Sequence, residues 1–171
     1  MIKSIGLFWR RDQVYWGAGS QAGALLGVPA SGRSGVSIDF RTQIGIYVLY
    51  SDYDPVYVGQ AGSGHAKLFA RLKHHRKDDL AERWNRFSWF GLRSVLSNGN
   101  LSAETQTSHA EINTVLDHVE AILIHAIEPP MNRQSGRFGQ NVVRYLQVRD
   151  ERLGPTQDEM MKEIWESTKR I

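Results

Sequence analysis

The order of apolar and polar positions predicts a chain of short strands interrupted by a few helices. Residues 44–50, Ile-Gly-Ile-Tyr-Val-Leu-Tyr, form a run of β-favouring residues, and residues 56–58, Val-Tyr-Val, form a second one. The residues between the two runs, 51–55, have the composition of a turn. Together the three segments predict a β-hairpin.

Helical spacing of apolar residues predicts three helices. The first covers residues 66–77, where apolar side chains recur three and four positions apart. The second and clearest covers residues 109–127, with a broad apolar stripe, and it ends before Pro129 and Pro130, which cannot continue a helix. The third covers residues 157–169.

The other apolar runs are shorter. Residues 87–95 and 142–148 have strand composition. Residues 5–17 contain two apolar runs around a polar Arg-Arg-Asp segment, which predicts a hairpin. The glycine- and serine-rich residues 17–35 predict an ordered loop or a short helix around residues 22–26.

This order of elements predicts an α+β fold, in which a small, mainly antiparallel β-sheet is flanked by α-helices. The length of 171 residues suits one domain. We expect an N-terminal extension over residues 1–43 with a hairpin and a loop, a core domain over residues 44–149, and a C-terminal helical segment over residues 150–171 that packs on the same domain.

Composition excludes several function classes. Hydrophobic residues make up 41% of the chain and charged residues 23%, as in globular proteins. Cysteine is absent, so a metal must bind to oxygen or imidazole ligands. No apolar run approaches the roughly 18 residues of a membrane span, and the first residues lack the pattern of a secretory signal. We therefore expect no membrane partner and a cytoplasmic location.

Basic residues are concentrated in two regions, although the net charge is only +3. Seven lysines and arginines lie between residues 67 and 86, and four arginines lie between residues 133 and 149. Two such clusters suit a phosphate backbone, which makes nucleic acid a candidate partner. Ordinary solvated helix surfaces have a similar composition, so charge alone leaves both interpretations open.

Four side chains of the hairpin and the first helix are candidates for chemistry. Tyr47 and Tyr57 lie on neighbouring predicted strands, where tyrosines commonly serve only cross-strand packing. Arg71 and His75 are four residues apart on the predicted helix, so they share one helix face. A cation and an imidazole therefore point in the same direction.

The long helix adds Glu120, a carboxylate between apolar neighbours, where an unpartnered charge is costly. A salt bridge, exposure at the helix edge and a metal ion all remain open as explanations. Asn132 follows twelve residues later, after Pro129 and Pro130, in a position typical of a turn residue.

In this order the residues resemble the GIY-YIG nuclease family. The matching segments are Gly45-Ile46-Tyr47, Tyr57-Val58-Gly59-Gln60-Ala61, Leu68-x-x-Arg71-Leu72 with His75, Glu120 followed by Leu123-Ile124, and Pro129-x-x-Asn132. They cover about half of the chain, and the pattern is similar to the catalytic domain of the bacterial excision-repair incision subunit. The resemblance extends to restriction and homing endonucleases of the same family.

The resemblance implies the GIY-YIG nuclease fold and an endonuclease that hydrolyses phosphodiester bonds with one Mg²⁺ or Mn²⁺ ion. The implied catalytic residues are Tyr47, Tyr57, Arg71, His75 and Glu120, with Glu120 as the metal ligand. The implied substrate-binding residues are Asn132, Gln60, Lys67, Lys73, His74 and Arg133, with His74 open between a phosphate contact and a surface position. Gln60 stands where the repair enzymes commonly carry lysine, which weakens any inference from the repair branch to this substrate.

The proton acceptor is open between two residues. Tyr47 is the general base by resemblance, but a tyrosine needs a downward pKa shift of about three units to be half ionised at neutral pH. If that shift is absent, Tyr47 orients the water and His75 receives the proton, because histidine ordinarily exchanges protons near neutral pH.

Several biological roles fit the same site. The expected substrate is DNA, and the enzyme is either restriction-like or a structure-selective repair, recombination or phage-defence nuclease. Cleavage of both strands in one event implies a homodimer. The alternative outside enzymes is a catalytically inactive module that binds nucleic acid through its basic clusters.

Overall fold

A computed structural model describes residues 2–31, 36–62, 66–103, 112–127 and 141–169. The strands are β1 (Ser4–Arg10), β2 (Tyr15–Ala18), β3 (Gln21–Ala24), β4 (Leu26–Pro29), β5 (Ile38–Asp39), β6 (Gly45–Ser51), β7 (Asp54–Ala61), β8 (Arg86–Gly91) and β9 (Val143–Gln147), and the helices are α1 (Leu68–His74), α2 (Ile112–Ile127) and α3 (Gln157–Thr168).

The described strands form one large and one small sheet. The large sheet has the order β5-β4-β9-β1-β8-β6-β7, and the small one pairs β2 with β3. Only the β1 and β9 pair of the large sheet is parallel. The fold is therefore α+β with a mainly antiparallel sheet, as the sequence predicts.

The hairpin of β6 and β7 is confirmed. Tyr47 lies opposite Gly59, and Leu49 lies opposite Tyr57, so the two tyrosines occupy diagonal positions on one side of the sheet. Strand β8 pairs with the other edge of β6 and places β6 in the interior of the sheet. Both edges of β6 are therefore paired, and its four central residues, 47–50, are buried.

Side chains alternate along β6 and form two cores. On one side, Tyr47 and Leu49 pack in a cluster that includes Leu68 and Leu72 of α1. On the other side, Val48 and Tyr50 belong to a second cluster, together with three buried residues of α2, namely Ala121, Ile122 and Ala126. Helices α1 and α2 therefore cover opposite sides of the sheet, which follows from the period of two in a strand.

Two predictions for the N-terminal region are wrong. The predicted hairpin over residues 5–17 does not form, because β1 pairs with β8 and β9 while β2 pairs with β3 in the small sheet. A short 3-10 turn, Arg11–Gln13, separates β1 from β2 and carries the chain from one sheet to the other. The predicted loop or helix around residues 22–26 is also wrong, because these residues contribute to β3 and β4.

The other predicted elements are confirmed with shorter bounds. Helix α1 ends at His74, β8 ends at Gly91, and α2 is described from Ile112 onward. Helix α3 begins with a capping box, in which Thr156 and Glu159 exchange hydrogen bonds. None of the residues of α3 is buried, so the predicted packing of this helix on the domain is not observed.

No helix in the described ranges combines the length and the apolar character that crossing a bilayer requires.

Candidate active site

Tyr47 is the centre of the candidate site. Its side chain is fully buried, with 0% exposure, on the side of the sheet that faces α1. A phenol hydroxyl in such a position needs hydrogen-bond partners, because an unpartnered buried hydroxyl costs free energy.

The partners of Tyr47 form a continuous line of hydrogen bonds. The Nε of Arg71 donates to the Tyr47 hydroxyl over 3.3 Å, and the same hydroxyl lies 2.8 Å from Nε2 of His75. On the far side of the imidazole, Nδ1 lies 2.7 Å from Oδ2 of Asp78. The prediction that Arg71 and His75 share one helix face is confirmed, since both contact one hydroxyl.

With a neutral imidazole, the chemistry of the partners determines the direction of each proton. The Asp78 carboxylate accepts from Nδ1–H of His75, which leaves Nε2 free to accept a proton. The Tyr47 hydroxyl donates to Nε2, and its oxygen accepts from Arg71, which has only donors. The line therefore runs from the guanidinium through phenol and imidazole to carboxylate.

The surroundings of Tyr47 and Asp78 determine the ionisation of these two groups. Burial raises the pKa of Tyr47 to about 12, against the opposing effects of the Arg71 hydrogen bond and charge. For Asp78, burial works against ionisation, but the backbone amide of Leu80 and the side chain of His75 outweigh it and lower the pKa. The carboxylate is thus ionised and the phenol neutral at physiological pH.

Tyr57 completes the group that we call the Tyr47 cluster, which consists of Tyr47, Tyr57, Arg71, His75 and Asp78. The Tyr57 ring centroid lies 4.8 Å from that of His75 and 6.1 Å from that of Tyr47. Arg71 and Tyr57 are only partly buried, so a ligand approaching from solvent meets these two residues first.

Asp78 is the member of the cluster that the sequence prediction missed. It follows His75 by three positions, a spacing that brings side chains together in helices and tight turns. Its other oxygen accepts from the backbone amide of Leu80 over 3.0 Å, which fixes the carboxylate. A carboxylate three residues after a candidate catalytic histidine was the available signal.

Of the predicted substrate-binding residues, the structure describes four, and none of them belongs to the hydrogen-bonded line. Lys67 precedes α1, and Nζ of Lys73 lies 5.9 Å from the ring centroid of Phe69. The His74 side chain is 67% exposed, in agreement with a surface position. Gln60 belongs to the opposite side of the sheet from Tyr57, because the two are three residues apart on one strand. Gln60 is exposed, and its predicted role in substrate binding stays a prediction.

Asn132 and Arg133 lie outside the described residues. Glu120 lies in α2, but its side chain is also outside the description. The described buried residues of α2 pack on the opposite side of the sheet from Tyr47. The membership of Glu120 in the site stays a prediction.

The described donors of the cluster suit a phosphate better than a cation. Within the described ranges, no three histidine or carboxylate side chains gather around a possible metal position. Asp78 already binds His75 and Leu80 through its two oxygens. The predicted metal ion therefore has no described set of protein ligands in this cluster, and its binding by Glu120 stays a prediction.

Gly59 makes room for the Tyr47 ring. A Cβ added at Gly59 would lie 2.3 Å from both Cζ and the hydroxyl oxygen of Tyr47. Gly45, at the start of the same strand pair, has φ +141°, and a Cβ there would lie 2.1 Å from the carbonyl oxygen of Phe90. Gly45 and Gly59 are therefore glycines for a steric reason, because neither position has space for a Cβ.

We expect Gly59→Ala to displace the Tyr47 ring from His75, because the added methyl group has no free space. The free energy of unfolding should fall by about 1–3 kcal/mol, as in other overpacked sites, and any activity of the cluster should fall with it. Denaturant unfolding measures the first effect. Gly19→Ala is the matched control, since Gly19 has φ +55° but nothing within 4 Å of an added Cβ; it should cost stability without changing activity.

Three comparisons with known proteins gave no match, since no family model, no curated protein and no solved structure is significantly similar to this chain. The resemblance to GIY-YIG nucleases therefore rests on the sequence motifs and stays a prediction.

Proposed function

We propose that this chain is a divalent-metal-dependent endonuclease that hydrolyses phosphodiester bonds in DNA, with the fold and single-metal chemistry of the GIY-YIG nucleases. The observation that carries the proposal is the hydrogen-bonded line from Arg71 through Tyr47 and His75 to Asp78. Three of its four members are the residues on which the motif resemblance depends.

This line has the composition of a proton-transfer site. A tyrosine that serves only packing is satisfied by one backbone or water partner. Here the phenol is held between a permanent cation and an imidazole, and the imidazole is oriented by a carboxylate. Orientation of the base by a third group is a recurrent arrangement in enzymes that activate a nucleophile.

The raised pKa of Tyr47 favours His75 as the final proton acceptor. A water beside the phenol gives a proton to the Tyr47 oxygen while the Tyr47 hydroxyl gives its own proton to Nε2 of His75. The water oxygen forms the new bond to phosphorus, the bond to the leaving oxygen breaks, and solvent protonates that oxygen. Tyr47 therefore transmits the proton without existing as a free phenolate.

Arg71 is the group that meets the substrate phosphate. Its Nε contacts Tyr47, and a planar guanidinium has two further nitrogens suited to phosphate oxygens. When Tyr57 moves aside, the Tyr47 oxygen becomes accessible to water while the Nε of Arg71 keeps its hydrogen bond to Tyr47. A Mg²⁺ or Mn²⁺ ion, held by Glu120 and phosphate oxygens when bound, supplies charge stabilisation at the leaving oxygen.

The test is a cleavage assay with supercoiled plasmid and with labelled single-stranded DNA and RNA. Each substrate is incubated with magnesium, with manganese or with EDTA. The wild type is compared with Arg71→Ala and Glu120→Ala, and with Lys162→Ala on the exposed helix α3 as a matched loss of one cation. We expect cleavage that requires the metal, is lost in the first two variants and persists in the third.

The products distinguish the roles within the nuclease class. Discrete plasmid fragments indicate a restriction-like enzyme, and the proposed homodimer would then cut both strands in one event. Cleavage confined to branched or damaged DNA indicates a repair, recombination or defence nuclease. Absence of cleavage on all these substrates, in every metal condition, would contradict the proposed activity.

We expect Asp78→Asn to lower the cleavage rate about tenfold or more, because an amide NH₂ can donate to Nδ1 of His75. The imidazole then carries its proton on Nε2 and cannot accept from Tyr47. Measurement of kcat and KM should place the loss in kcat, with DNA binding unchanged. Asp79→Asn, an exposed neighbouring carboxylate, is the control and should behave as wild type.

A nucleic-acid-binding module without catalysis is the second candidate function. The observation that favours it is the complete burial of Tyr47, which keeps the phenol away from any ligand unless Arg71 or Tyr57 moves. In that case wild type, Arg71→Ala and Glu120→Ala should leave every substrate intact while wild type still binds DNA in a salt-dependent manner.

A further inference from the structure

A second concave site lies at the end of the large sheet and does not include the Tyr47 cluster. It has a volume of about 670 Å³ and lies between the end of β1, the turn from β6 to β7, and the segment that joins α1 to β8. We call it the arginine cleft, after Arg11, Arg76 and Arg86 in its lining.

Two guanidinium groups of the arginine cleft lie on indole rings. The Cζ of Arg11 lies 4.9 Å from the ring centroid of Trp84, and the Cζ of Arg76 lies 4.7 Å from that of Trp16. Nη1 of Arg11 also donates to the carbonyl oxygen of Trp84 over 3.1 Å. These contacts hold the two cations in place without neutralising their charge.

Three carboxylates line the cleft, Asp12, Asp52 and Glu82, and none of them forms a described ion pair with Arg11 or Arg76. The ion pair in the cleft joins Arg10 to Asp12 at 2.5 Å. Asp52 instead binds the side-chain amide of Asn85 at 2.7 Å. The described ion pairs include neither Arg11 nor Arg76.

Two donors of the cleft lack a partner although they are buried. The Nε atoms of Arg76 and Arg86 have no hydrogen-bond acceptor, which is uncommon for buried nitrogen donors. Burial, and next the charge of Arg11, lower the pKa of Arg76. These Nε atoms are inaccessible to solvent, so an anion in the cleft would accept from the terminal guanidinium nitrogens and reduce the repulsion between Arg11 and Arg76.

The arginine cleft lies next to the Tyr47 cluster in the chain, because Arg76 directly follows His75. The planar guanidinium group of an arginine matches the oxygens of a phosphate. Trp84, which supports Arg11, also donates from Nε1 to the backbone carbonyl of His75 over 3.0 Å. The arginine cleft and the Tyr47 cluster are thus joined through one residue's backbone. A polymer of phosphates is the ligand that uses two neighbouring anion sites at once.

We propose that the arginine cleft binds a backbone phosphate of the nucleic acid other than the one that is cleaved, with Arg11 and Arg76 as its main ligands. This inference rests on the proposed function for the identity of the polymer, but the contact itself is independent of catalysis.

The test measures binding of a labelled DNA duplex in EDTA by fluorescence anisotropy over a series of salt concentrations. Removing one cation that binds a phosphate of duplex DNA lowers the magnitude of the slope of log K against log salt by about 0.9. We expect Arg76→Gln and Arg11→Gln each to show this decrease and to weaken binding about tenfold. Arg10→Gln, in the same cleft but already paired with Asp12, should leave the slope unchanged.

A lysine variant separates binding from a structural role. Arg76→Lys keeps the positive charge but not the planar contact with Trp16, so it should retain most of the salt slope. If Arg76→Lys lowers both the slope of log K against log salt and the midpoint temperature of thermal unfolding, Arg76 stabilises the fold, and the proposal is overturned.

The remaining outcomes separate this inference from the proposed function. A decreased slope without any cleavage by wild type supports the cleft and contradicts the nuclease. Cleavage by wild type, with an unchanged salt slope in Arg76→Gln and Arg11→Gln, supports the nuclease and contradicts the phosphate site in the cleft. If the variants lose binding of inorganic phosphate, followed by tryptophan fluorescence, but not of DNA, the cleft takes a free phosphate and the assignment to a nucleic acid is overturned.

Discussion

Tyr47→Phe should reduce the rate of phosphodiester cleavage by about 10²- to 10⁴-fold, the usual contribution of general acid–base catalysis. Phenylalanine keeps the ring in its buried position but removes the hydroxyl that joins Arg71 to His75. Binding of DNA should remain close to wild type, because the proposed phosphate contacts belong to Arg71 and to the arginine cleft. Single-turnover cleavage and anisotropy measure the two quantities separately.

Tyr50→Phe is the matched control for this variant. Tyr50 lies on the same strand and is equally buried at 0% exposure, but its side chain belongs to the core on the opposite side of the sheet. A similar loss of rate in both variants would indicate a stability effect rather than a catalytic one. A near wild-type rate in Tyr47→Phe would remove this residue from the proton path.

The pH dependence of the wild type tests the route of the proton. With a pKa of about 12, only about one Tyr47 in 100,000 is ionised at pH 7. If that free phenolate were the base, log(kcat/KM) would rise by one for each pH unit until about pH 12. In the proposed transfer to His75, the rate does not depend on ionisation of the phenol and shows no such rise at high pH. A rate that is independent of pH at high pH supports the transfer, and a continued rise toward pH 12 contradicts it.

The hairpin of β6 and β7, helix α1 and helix α2 could be predicted from the sequence, because local patterns determine them. The runs at residues 44–50 and 56–58 are β-favouring throughout, and their strands pair as a hairpin in the structure. The four-residue spacing of Arg71 and His75 also determines their shared face before any tertiary contact is known.

The N-terminal strands could not be predicted in the same way, because their partners are distant in the sequence. Strand β1 pairs with β8 and β9, about 80 and 140 residues further along the chain, and no local signal at residues 5–17 identifies those partners. The apolar runs on both sides of Arg11 have the pattern of a hairpin, but a 3-10 turn sends them to different sheets.

Gln60 and Asp78 show the same limit within the site. The motif places Gln60 beside Tyr57 and Gly59 in sequence, yet strand alternation turns it to the other side of the sheet. Asp78 belongs to no motif segment, and its role depends on the turn after α1, where Leu80 fixes its carboxylate. Sequence resemblance predicted the candidate reacting groups, and the structure was needed to find the carboxylate that contacts His75.

Arg71→Lys should lower kcat/KM by about 10²- to 10³-fold even though it conserves the charge. Arg71 serves two partners at once, because its Nε donates to Tyr47 while its terminal nitrogens remain for phosphate. A lysine ammonium is a single point of charge and cannot bridge a phenol and a phosphate in the same geometry. The loss should therefore appear mainly in kcat, with the salt dependence of DNA binding preserved.

Arg71→Ala and Arg152→Lys are the two control variants for Arg71→Lys. Alanine removes the charge as well, so it should weaken DNA binding and reduce the salt slope in addition to abolishing cleavage. Arg152 is a second guanidinium beside a tyrosine, but it lies outside the Tyr47 cluster. Its Cζ lies 4.0 Å from the Tyr15 ring centroid, and its Nη2 lies 2.6 Å from Oδ2 of Asp150. Arg152→Lys should therefore cleave like wild type. If lysine at position 71 instead supports the full rate, positive charge alone is sufficient there, and the bridging role of the guanidinium between phenol and phosphate is wrong.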